Sequence, residues 1–283
     1  MALAGPPDPT ALAQGIGWLH GQGFDVVPAG NLRSRAGYLA GSDEERLAGL
    51  TALLDHGVDA LMAARGGFGT TRLVAGLPWD RLATWGGWIV GFSDLTAFHA
   101  AAASRLPFAT LHGPMATTLG ADPRGSMRLL SWLSGAAPRV MFDVAEENVV
   151  RGGVARGVSV GGNLSLLASL VGTPFEASFD GAIVFIEEVG EPLYRLDRLL
   201  TQLRLSSRLA QAKALVTGRL LNCGRGEHAW RKRWRTMLAE SAPANAVIVE
   251  GLPFGHGRPN VPFPLGVEVE VDTRRGRITW GGA

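Results

Sequence analysis

The stretch that most constrains the fold is GWIVGFSDLTAFH, residues 87–99. Trp88 to Phe92 predicts a buried strand, and the alanine-rich continuation from Leu95 towards Ser104 predicts a helix. Ser93 stands at the junction, where a sharp turn exposes a hydroxyl and the helix N-terminus favours developing negative charge. This arrangement suits a serine nucleophile. However, Asp94 replaces the second glycine of the usual elbow, and a serine that only caps a helix gives the same pattern.

Strands and helices alternate through the first part of the chain. A helix capped by Asp8, a strand at Phe24–Pro28 and a helix opened by the Ser42-x-x-Glu45 capping box precede a strand at Asp59–Ala63. Such alternation predicts an α/β architecture, with an N-terminal parallel sheet covered by helices on both faces. Functional side chains are then expected at the carboxyl ends of the strands.

Arg65, Ser93 and His112 each follow a predicted strand, so we expect them at one edge of this sheet. Arg65 begins the glycine loop RGGFG, which could hold a phosphate through backbone N–H groups. The loop lacks the Gly-Lys-Ser/Thr of a phosphate loop, and no acidic residue follows at a clear dinucleotide spacing. A second use is to direct a backbone N–H at an oxyanion beside Ser93.

The second part of the chain has a different pattern. Residues 136–160 read as a connector or a small β excursion between two domains, an N-terminal one at 1–135 and a C-terminal one at 161–283. The latter is expected to be α+β with a small sheet. Its predicted elements include a central strand at Ala182–Ile186 and a β-hairpin from Val267 to Trp280.

Composition excludes several classes of protein. Hydrophobic residues make up 46% of the chain and charged residues 18%, which excludes a disordered protein. The net charge is +2 and the basic residues are scattered, so no nucleic-acid partner is indicated. The six histidines are dispersed and the one cysteine cannot form an internal disulfide, so we expect neither a metal site nor a cofactor. No long apolar run predicts a membrane segment, and we expect a soluble, cytoplasmic protein.

Ser93, Glu187 and His256 each stand where a predicted strand gives way to a turn or loop. A serine nucleophile needs a base to take its proton and a carboxylate to orient that base, and the chain order serine, acid, histidine is a known one. Plainer readings exist: Glu187 could cap a helix or pair with Arg195, and His256 could be a solvated loop residue. The residue pattern leaves both readings open, because Ser93 falls in the predicted N-terminal domain and Glu187 and His256 fall in the predicted C-terminal one.

Six ordered blocks of sequence resemble the LD-carboxypeptidases, or muramoyltetrapeptide carboxypeptidases, a serine peptidase family that also includes the microcin-immunity peptidases. The blocks are RGGFG at 65–69, GFSDLTA at 91–97, LHGPM at 111–115, GGNL at 161–164, FIEEVGEPLYRLDR at 185–198 and GH at 255–256. The resemblance covers almost the whole chain. It implies that Ser93 is the nucleophile, Glu187 the acid and His256 the base, with an oxyanion hole from the backbone N–H groups of Gly67 and Asp94.

The resemblance also implies a homodimer and an activity. The expected reaction is hydrolysis of the bond between an L-centred diamino acid and the terminal D-alanine of a cytoplasmic murein tetrapeptide, in peptidoglycan recycling, through an acyl-enzyme. Arg65 is a candidate partner for the terminal carboxylate, although pairing inside the protein is an equal alternative. His112 is a candidate for lining the cleft, against the alternative of a satisfied histidine behind it.

The chain departs from the family pattern in a few places. It begins close to Ala4-Gly5-Pro6-Pro7, where the family has a longer first strand, so part of an edge strand is expected to be missing or the start to lie upstream. Phe68 and Phe92 replace common tyrosines, and Glu188 replaces a frequent aspartate. Two other functions stay open. The first is an immunity-type peptidase acting on a peptidyl-nucleotide; the block Leu200–Arg204 and the lack of an aromatic platform for a nucleobase argue against it. The second is a catalytically silent peptide-binding protein.

Overall fold

A computed structural model of the chain describes residues 1–281. Its strands form a four-stranded sheet in the order β1-β2-β3-β10 and an eight-stranded sheet in the order β4-β12-β11-β6-β7-β8-β9-β5. The strands are β1 (Ala60–Met62), β2 (Trp88–Gly91), β3 (Thr110–His112), β4 (Val140–Asp143), β5 (Val149–Arg151), β6 (Val154–Asn163), β7 (Ile183–Val189), β8 (Ala214–Leu221), β9 (Val247–Leu252), β10 (Phe263–Leu265), β11 (Glu268–Asp272) and β12 (Arg277–Trp280). The α-helices are α1 (Pro9–Gly21), α2 (Asp43–His56), α3 (Thr70–Leu73), α4 (Trp79–Trp85), α5 (Thr96–Ala102), α6 (Pro123–Leu133), α7 (Leu164–Ser169), α8 (Leu193–Leu205) and α9 (Trp230–Ser241).

The α/β class predicted from the sequence is confirmed, and so are the local signals that start the first helices. The side chain of Asp8 accepts a hydrogen bond from the N–H of Ala11 at the start of α1. Ser42 and Glu45 form the reciprocal capping box that opens α2. These pairs satisfy backbone donors that have no partner inside the helix, which fixes where each helix begins.

The strand predicted at Phe24–Pro28 is wrong, because this segment has no regular secondary structure. Phe24 and Val26 pack against a small apolar cluster, which explains the hydrophobic pattern. Pro28 lacks the N–H that a ladder would need. Residues 1–5 instead occupy the place beside β1: Ala64 donates its N–H to the carbonyl oxygen of Met1, and Gly5 donates to Gly66.

The three sequential strands β1, β2 and β3 of the four-stranded sheet are parallel, as predicted. Its fourth strand, β10, comes from the C-terminal half and lies antiparallel to β3, with Phe263 opposite His112. The two halves therefore share a sheet. One apolar cluster also spans both halves and includes buried residues of α5, α7 and α8.

The sheet of the C-terminal half is the larger of the two, not a small one as predicted. Residues 136–160, predicted as a connector, contain β4, β5 and most of β6, all within this sheet. Glycines in the sequence of β6 are more typical of a loop, but this strand requires them because the neighbouring backbone lies too close for a side chain. A Cβ at Gly161 would lie 1.9 Å from the carbonyl oxygen of Phe185, and one at Gly157 would lie 2.1 Å from that of Gly181. Glycine in a strand often marks such a close approach of backbones. The boundaries at residues 135 and 160 stay a prediction.

Within residues 1–281, no helix is both long and apolar enough to span a lipid bilayer.

Candidate active site

Ser93 lies in a strained turn directly after β2. Its φ is +60°, in the left-handed region that side chains other than glycine rarely adopt, and it begins a short 3₁₀ helix over Ser93–Leu95 that continues into α5. Strained residues of this kind cluster at functional sites. The turn leaves Ser93 half-buried while its neighbours Phe92 and Asp94 are buried. The hydroxyl is thus presented at the carboxyl end of the strand, as the sequence predicted.

The three residues proposed as a triad form one chain of hydrogen-bonding groups. His256 Nε2 lies 3.1 Å from Ser93 Oγ, and His256 Nδ1 lies 2.6 Å from Glu187 Oε2. Glu187 comes from β7 and is fully buried, whereas His256 lies in the loop after β9 with a fifth of its side chain exposed. The imidazole therefore stands between a buried carboxylate and an accessible hydroxyl.

Opposing influences set the protonation of His256. Burial lowers its pKa, but the hydrogen bond and negative charge of Glu187, with a contribution from Glu188, outweigh burial and raise the pKa above its ordinary value. The Phe92 ring meets the His256 ring edge to face, with centroids 4.9 Å apart. The imidazole is thus held on one side by an ionic hydrogen bond and on another by an aromatic contact.

The residue before this histidine must be glycine. Gly255 has a φ of +93°, and a Cβ there would lie 2.7 Å from both Cβ and Oε2 of Glu187. The N–H of Gly255 donates to Asn260 Oδ1, which holds the loop in place. The Gly-His pair of the sequence therefore reflects direct packing of the backbone on the acid.

The glycine loop packs against the nucleophile as predicted from the sequence. A Cβ at Gly66 would lie 3.0 Å from Ser93 Oγ and 3.6 Å from the nitrogen of Asp94, so a larger residue here would press on the Ser93 side chain. Gly67 has a φ of +116° and lies against Gly5. Among the described residues, no group accepts a hydrogen bond from the N–H of Gly67 or of Asp94. Both donors are therefore available to another acceptor.

The side chain of Asp94 has a use that the sequence did not reveal. This fully buried carboxylate accepts a hydrogen bond of 2.8 Å from the N–H of Thr70, where the glycine loop enters α3. Burial raises its pKa, and hydrogen bonds from Thr70 and Gly69 only partly offset that effect. Asp94 thus joins the nucleophile turn to the glycine loop.

Arg65 lies at the surface and donates a hydrogen bond of 2.9 Å from Nη1 to the carbonyl oxygen of Pro6. No carboxylate within the described part of the chain forms an ion pair with it. Arg65 thus pairs inside the protein with a backbone carbonyl oxygen, and no carboxylate of the described residues neutralises its charge. Its role toward a substrate stays a prediction.

His112 fits neither of its two sequence readings: it is fully buried and so does not line the cleft, and neither ring nitrogen has a hydrogen-bond partner among the described residues, so it is not a satisfied histidine. Its ring stacks on Phe263 with centroids 4.7 Å apart and lies 5.8 Å from Phe92. Burial holds its pKa well below the ordinary value, so the ring is neutral. The sequence placed His112 just after a strand, whereas it is the last residue of β3 and pairs with Phe263 of β10. That pairing is not visible in the local sequence.

His99 is a second buried histidine, which the sequence analysis did not single out. Its Nε2 lies 3.0 Å from the carbonyl oxygen of Gly91, which can only accept, so Nε2 carries the proton. Its Nδ1 then accepts from Thr110 Oγ1 at 2.8 Å. Burial lowers the pKa of His99 to about 4. This neutral side chain supports the end of β2 from behind the turn.

A buried polar network joins the nucleophile turn to the strand that carries Glu187. The N–H of Asn163 donates to Thr96 Oγ1 at 2.9 Å, and Asn163 Nδ2 donates to Glu188 Oε1 at 2.7 Å. Glu188 also accepts two hydrogen bonds from Ser165, and burial raises its pKa. Thr96, Asn163 and Glu188 lie in the blocks GFSDLTA, GGNL and FIEEVGEPLYRLDR, so the sequence showed these three residues but not their contacts.

No cluster of three or more histidine, cysteine or acidic side chains with the geometry of a metal site occurs within residues 1–281.

Both halves of the chain match a known protein family. The LD-carboxypeptidase N-terminal domain matches residues 1–113, and the LD-carboxypeptidase C-terminal domain matches residues 156–271. The chain is 34% identical to the probable murein peptide carboxypeptidase of Bacillus subtilis, over 96% of this chain and 88% of that protein. This chain belongs to the LD-carboxypeptidase family. By that membership it is a hydrolase, a serine-type LD-carboxypeptidase.

Solved structures show the same fold. The muramoyltetrapeptide carboxypeptidase of Oxalobacter formigenes is similar with a TM-score of 0.85 at 28% identity, over 99% of this chain and 97% of that one. The protein MccF in complex with glutamyl sulfamoyl guanosine has a TM-score of 0.87 at 19% identity, over 100% of this chain and 95% of that one. At that identity the second likeness concerns the fold alone.

Proposed function

We propose that this carboxypeptidase removes the terminal D-alanine from a murein tetrapeptide through an acyl-enzyme on Ser93. The observation that carries the proposal is the continuous contact from Glu187 through His256 to Ser93, at 2.6 Å and 3.1 Å. The names of two relatives support the substrate: a murein peptide carboxypeptidase and a muramoyltetrapeptide carboxypeptidase.

The reaction follows from the roles that this geometry permits. His256 Nε2 takes the proton of Ser93 Oγ as that oxygen attacks the carbonyl carbon of the diamino acid. Glu187 keeps the proton of the neutral ring on Nδ1 and stabilises the imidazolium. The N–H groups of Gly67 and Asp94 stabilise the negative oxygen of the tetrahedral intermediate.

Collapse of the intermediate breaks the peptide bond. The imidazolium gives its proton to the leaving nitrogen, D-alanine departs, and the tripeptide stays on Ser93 as an ester. His256 then takes a proton from water, and the hydroxide attacks the ester carbon. The second intermediate releases the tripeptide acid, and Ser93 recovers its proton from His256.

A carboxypeptidase must also recognise the free carboxylate of the residue that it releases. Arg65 is suited to this, because it lies in the glycine loop beside Ser93 and has no acidic partner in the described residues. Replacing Arg65 by Gln should lower kcat/KM for a tetrapeptide with a free carboxylate far more than for the same peptide ending in a carboxamide. An equal loss for both peptides would contradict this role.

The function is tested by mass spectrometry of L-Ala-γ-D-Glu-diamino acid-D-Ala incubated with the parent protein and with Ser93→Ala. The parent should release one D-alanine, and Ser93→Ala should release none. Ser134→Ala, a change at an exposed serine, is the matched control and should match the parent. When the parent is quenched with acid during turnover, the intact protein should carry the added mass of the tripeptide acyl group, and Ser93→Ala treated in the same way should not.

Two alternatives are outcomes of the same test. If folded parent protein leaves the tetrapeptide intact, a peptidyl-nucleotide substrate is the next to try, since MccF shares the fold. If neither is cleaved, the catalytically silent binding protein remains. The homodimer and the cytoplasmic location belong to the proposal as well, and light scattering of the purified protein measures the first of them.

A further inference from the structure

Two large aromatic side chains lie in solvent beside the nucleophile. Tyr38 is 66% exposed and Phe68 is 48% exposed. Their rings meet edge to face with centroids 5.8 Å apart. Single exposed apolar residues are common on protein surfaces, but a contiguous pair is more often part of a binding site.

The pair is joined to the proposed catalytic groups by short contacts. Phe68 lies two residues after Gly66, and a Cβ at Gly66 would lie 3.0 Å from Ser93 Oγ. A Cβ at Gly5 would lie 3.4 Å from the carbonyl oxygen of Tyr38 and 3.8 Å from Nη1 of Arg65. The two rings, the guanidinium group and the nucleophile are therefore grouped around one glycine loop.

We propose that Tyr38 and Phe68 form an apolar wall that contacts the side chain of the residue released from the substrate. This rests on the proposed function, in which Arg65 binds the carboxylate of that residue. In an α-amino acid the carboxylate and the side chain share one carbon, so a group that binds the first lies within a few ångströms of the second. An unpaired cation next to exposed rings matches this combination of an anion and an apolar substituent.

The exposure of the wall indicates which side chains it takes. Tyr38 and Phe68 do not close around a methyl group, because about half or more of each remains in solvent. The site therefore accepts terminal D-residues with apolar side chains larger than that of D-alanine. A larger side chain covers more of the two rings and gains more from leaving water.

The test measures kcat/KM for tetrapeptides that differ only in the last residue: Gly, D-Ala or D-Leu. The parent should prefer D-Leu to Gly by about tenfold or more, the range for a small apolar difference in a pocket. Phe68→Ala and Tyr38→Ala should bring this ratio close to one, while Phe68→Tyr keeps it. Leu205→Ala, which removes a 72% exposed side chain at the end of α8, should leave it unchanged.

Three results would overturn the assignment. One is a D-Leu to Gly ratio in the folded alanine variants that equals the ratio in the parent. Another is an unchanged ratio together with an altered preference for the diamino acid, which would put the aromatic pair on the acyl side of the scissile bond. The third is a parent that cleaves none of the peptides, which refutes the proposed function itself and removes the basis of this inference.

Discussion

Replacing Gly255 by Ala should damage catalysis by displacing His256 from both Glu187 and Ser93. The added Cβ would lie 2.7 Å from both Cβ and Oε2 of Glu187, closer than real side chains approach. The backbone at Gly255 also has a φ of +93°, which alanine rarely adopts. Glu187 is fully buried in β7, so it has no solvent-facing space to move into. Relief must therefore come from a shift of the loop that carries His256.

The backbone strain and the steric clash together set the expected loss of stability and of activity. A left-handed backbone costs an alanine about 1–2 kcal/mol relative to glycine. Moving the Gly255 loop away from Glu187 by several tenths of an ångström lengthens the 2.6 Å contact of His256 with the acid and its 3.1 Å contact with Ser93. Misplacement of about 1 Å can cost roughly 100-fold in rate. We expect kcat to fall by about that factor, with KM nearly unchanged.

The assay is steady-state release of D-alanine, with urea unfolding as the measure of stability. Gly257→Ala is the matched control on the other side of His256: its φ lies outside the left-handed region, and its Cβ would meet only the flexible side chain of Arg219. It should keep most of the activity. Folded Gly255→Ala with the kcat of the parent would refute the reasoning, because the backbone would then not be what aligns Glu187 with His256.

Three further changes probe the groups around this contact. Glu187→Gln removes the charge that raises the pKa of His256, so the base should stay neutral to lower pH. The acid limb of the kcat/KM profile should therefore move to lower pH, and the plateau should be roughly 10³–10⁴-fold lower. An acid limb at the pH of the parent would contradict the assignment of Glu187. Asp94→Ala leaves the N–H of Thr70 without its acceptor; kcat should fall by about 100-fold, and Asp94→Asn should recover much of it if the contact positions the oxyanion donors. Thr96→Val leaves the buried N–H of Asn163 without its acceptor; urea unfolding should show a loss of about 1–3 kcal/mol, and a parent-like midpoint would argue against the link.

Local signals in the sequence predicted most of the helices and parallel strands. The Ser42 capping box and the strand-to-helix turn at Ser93 depend on residues close in sequence, and both appear in the structure as expected. Pairings between distant segments were not predictable in this way. Strand β10 is three residues long and contains Pro264, so its sequence reads as a loop, and only its place beside β3 at the sheet edge makes it a strand.

In the candidate site too, local features were predictable from the sequence and contacts between distant segments were not. The residue pattern placed Ser93, Glu187 and His256 at the ends of predicted strands, although Glu187 lies within β7 in the structure. The pattern did not show that the three side chains meet, and their roles came from the family resemblance. The burial of His112 under β10 was missed for the same reason as β10 itself. The carboxylate of Asp94 was missed because its acceptor role toward Thr70 depends on the spatial contact between a turn and a loop 24 residues apart.

If Ser93, Glu187 and His256 act as proposed, the interface between the two halves is part of the catalytic apparatus. Ser93 belongs to the four-stranded sheet, while Glu187 and His256 are attached to the eight-stranded one, so a small sliding of one against the other would separate base from nucleophile. Several contacts oppose such sliding. Strand β10 pairs with β3, and the N–H of Asn163 donates a hydrogen bond to Thr96 Oγ1. Gly162 packs closely on the same side chain, since a Cβ there would lie 2.3 Å from Thr96 Oγ1. Packed interfaces of this kind do not deform continuously. The precision of the Ser93 to His256 contact thus depends on residues that touch neither the substrate nor the triad.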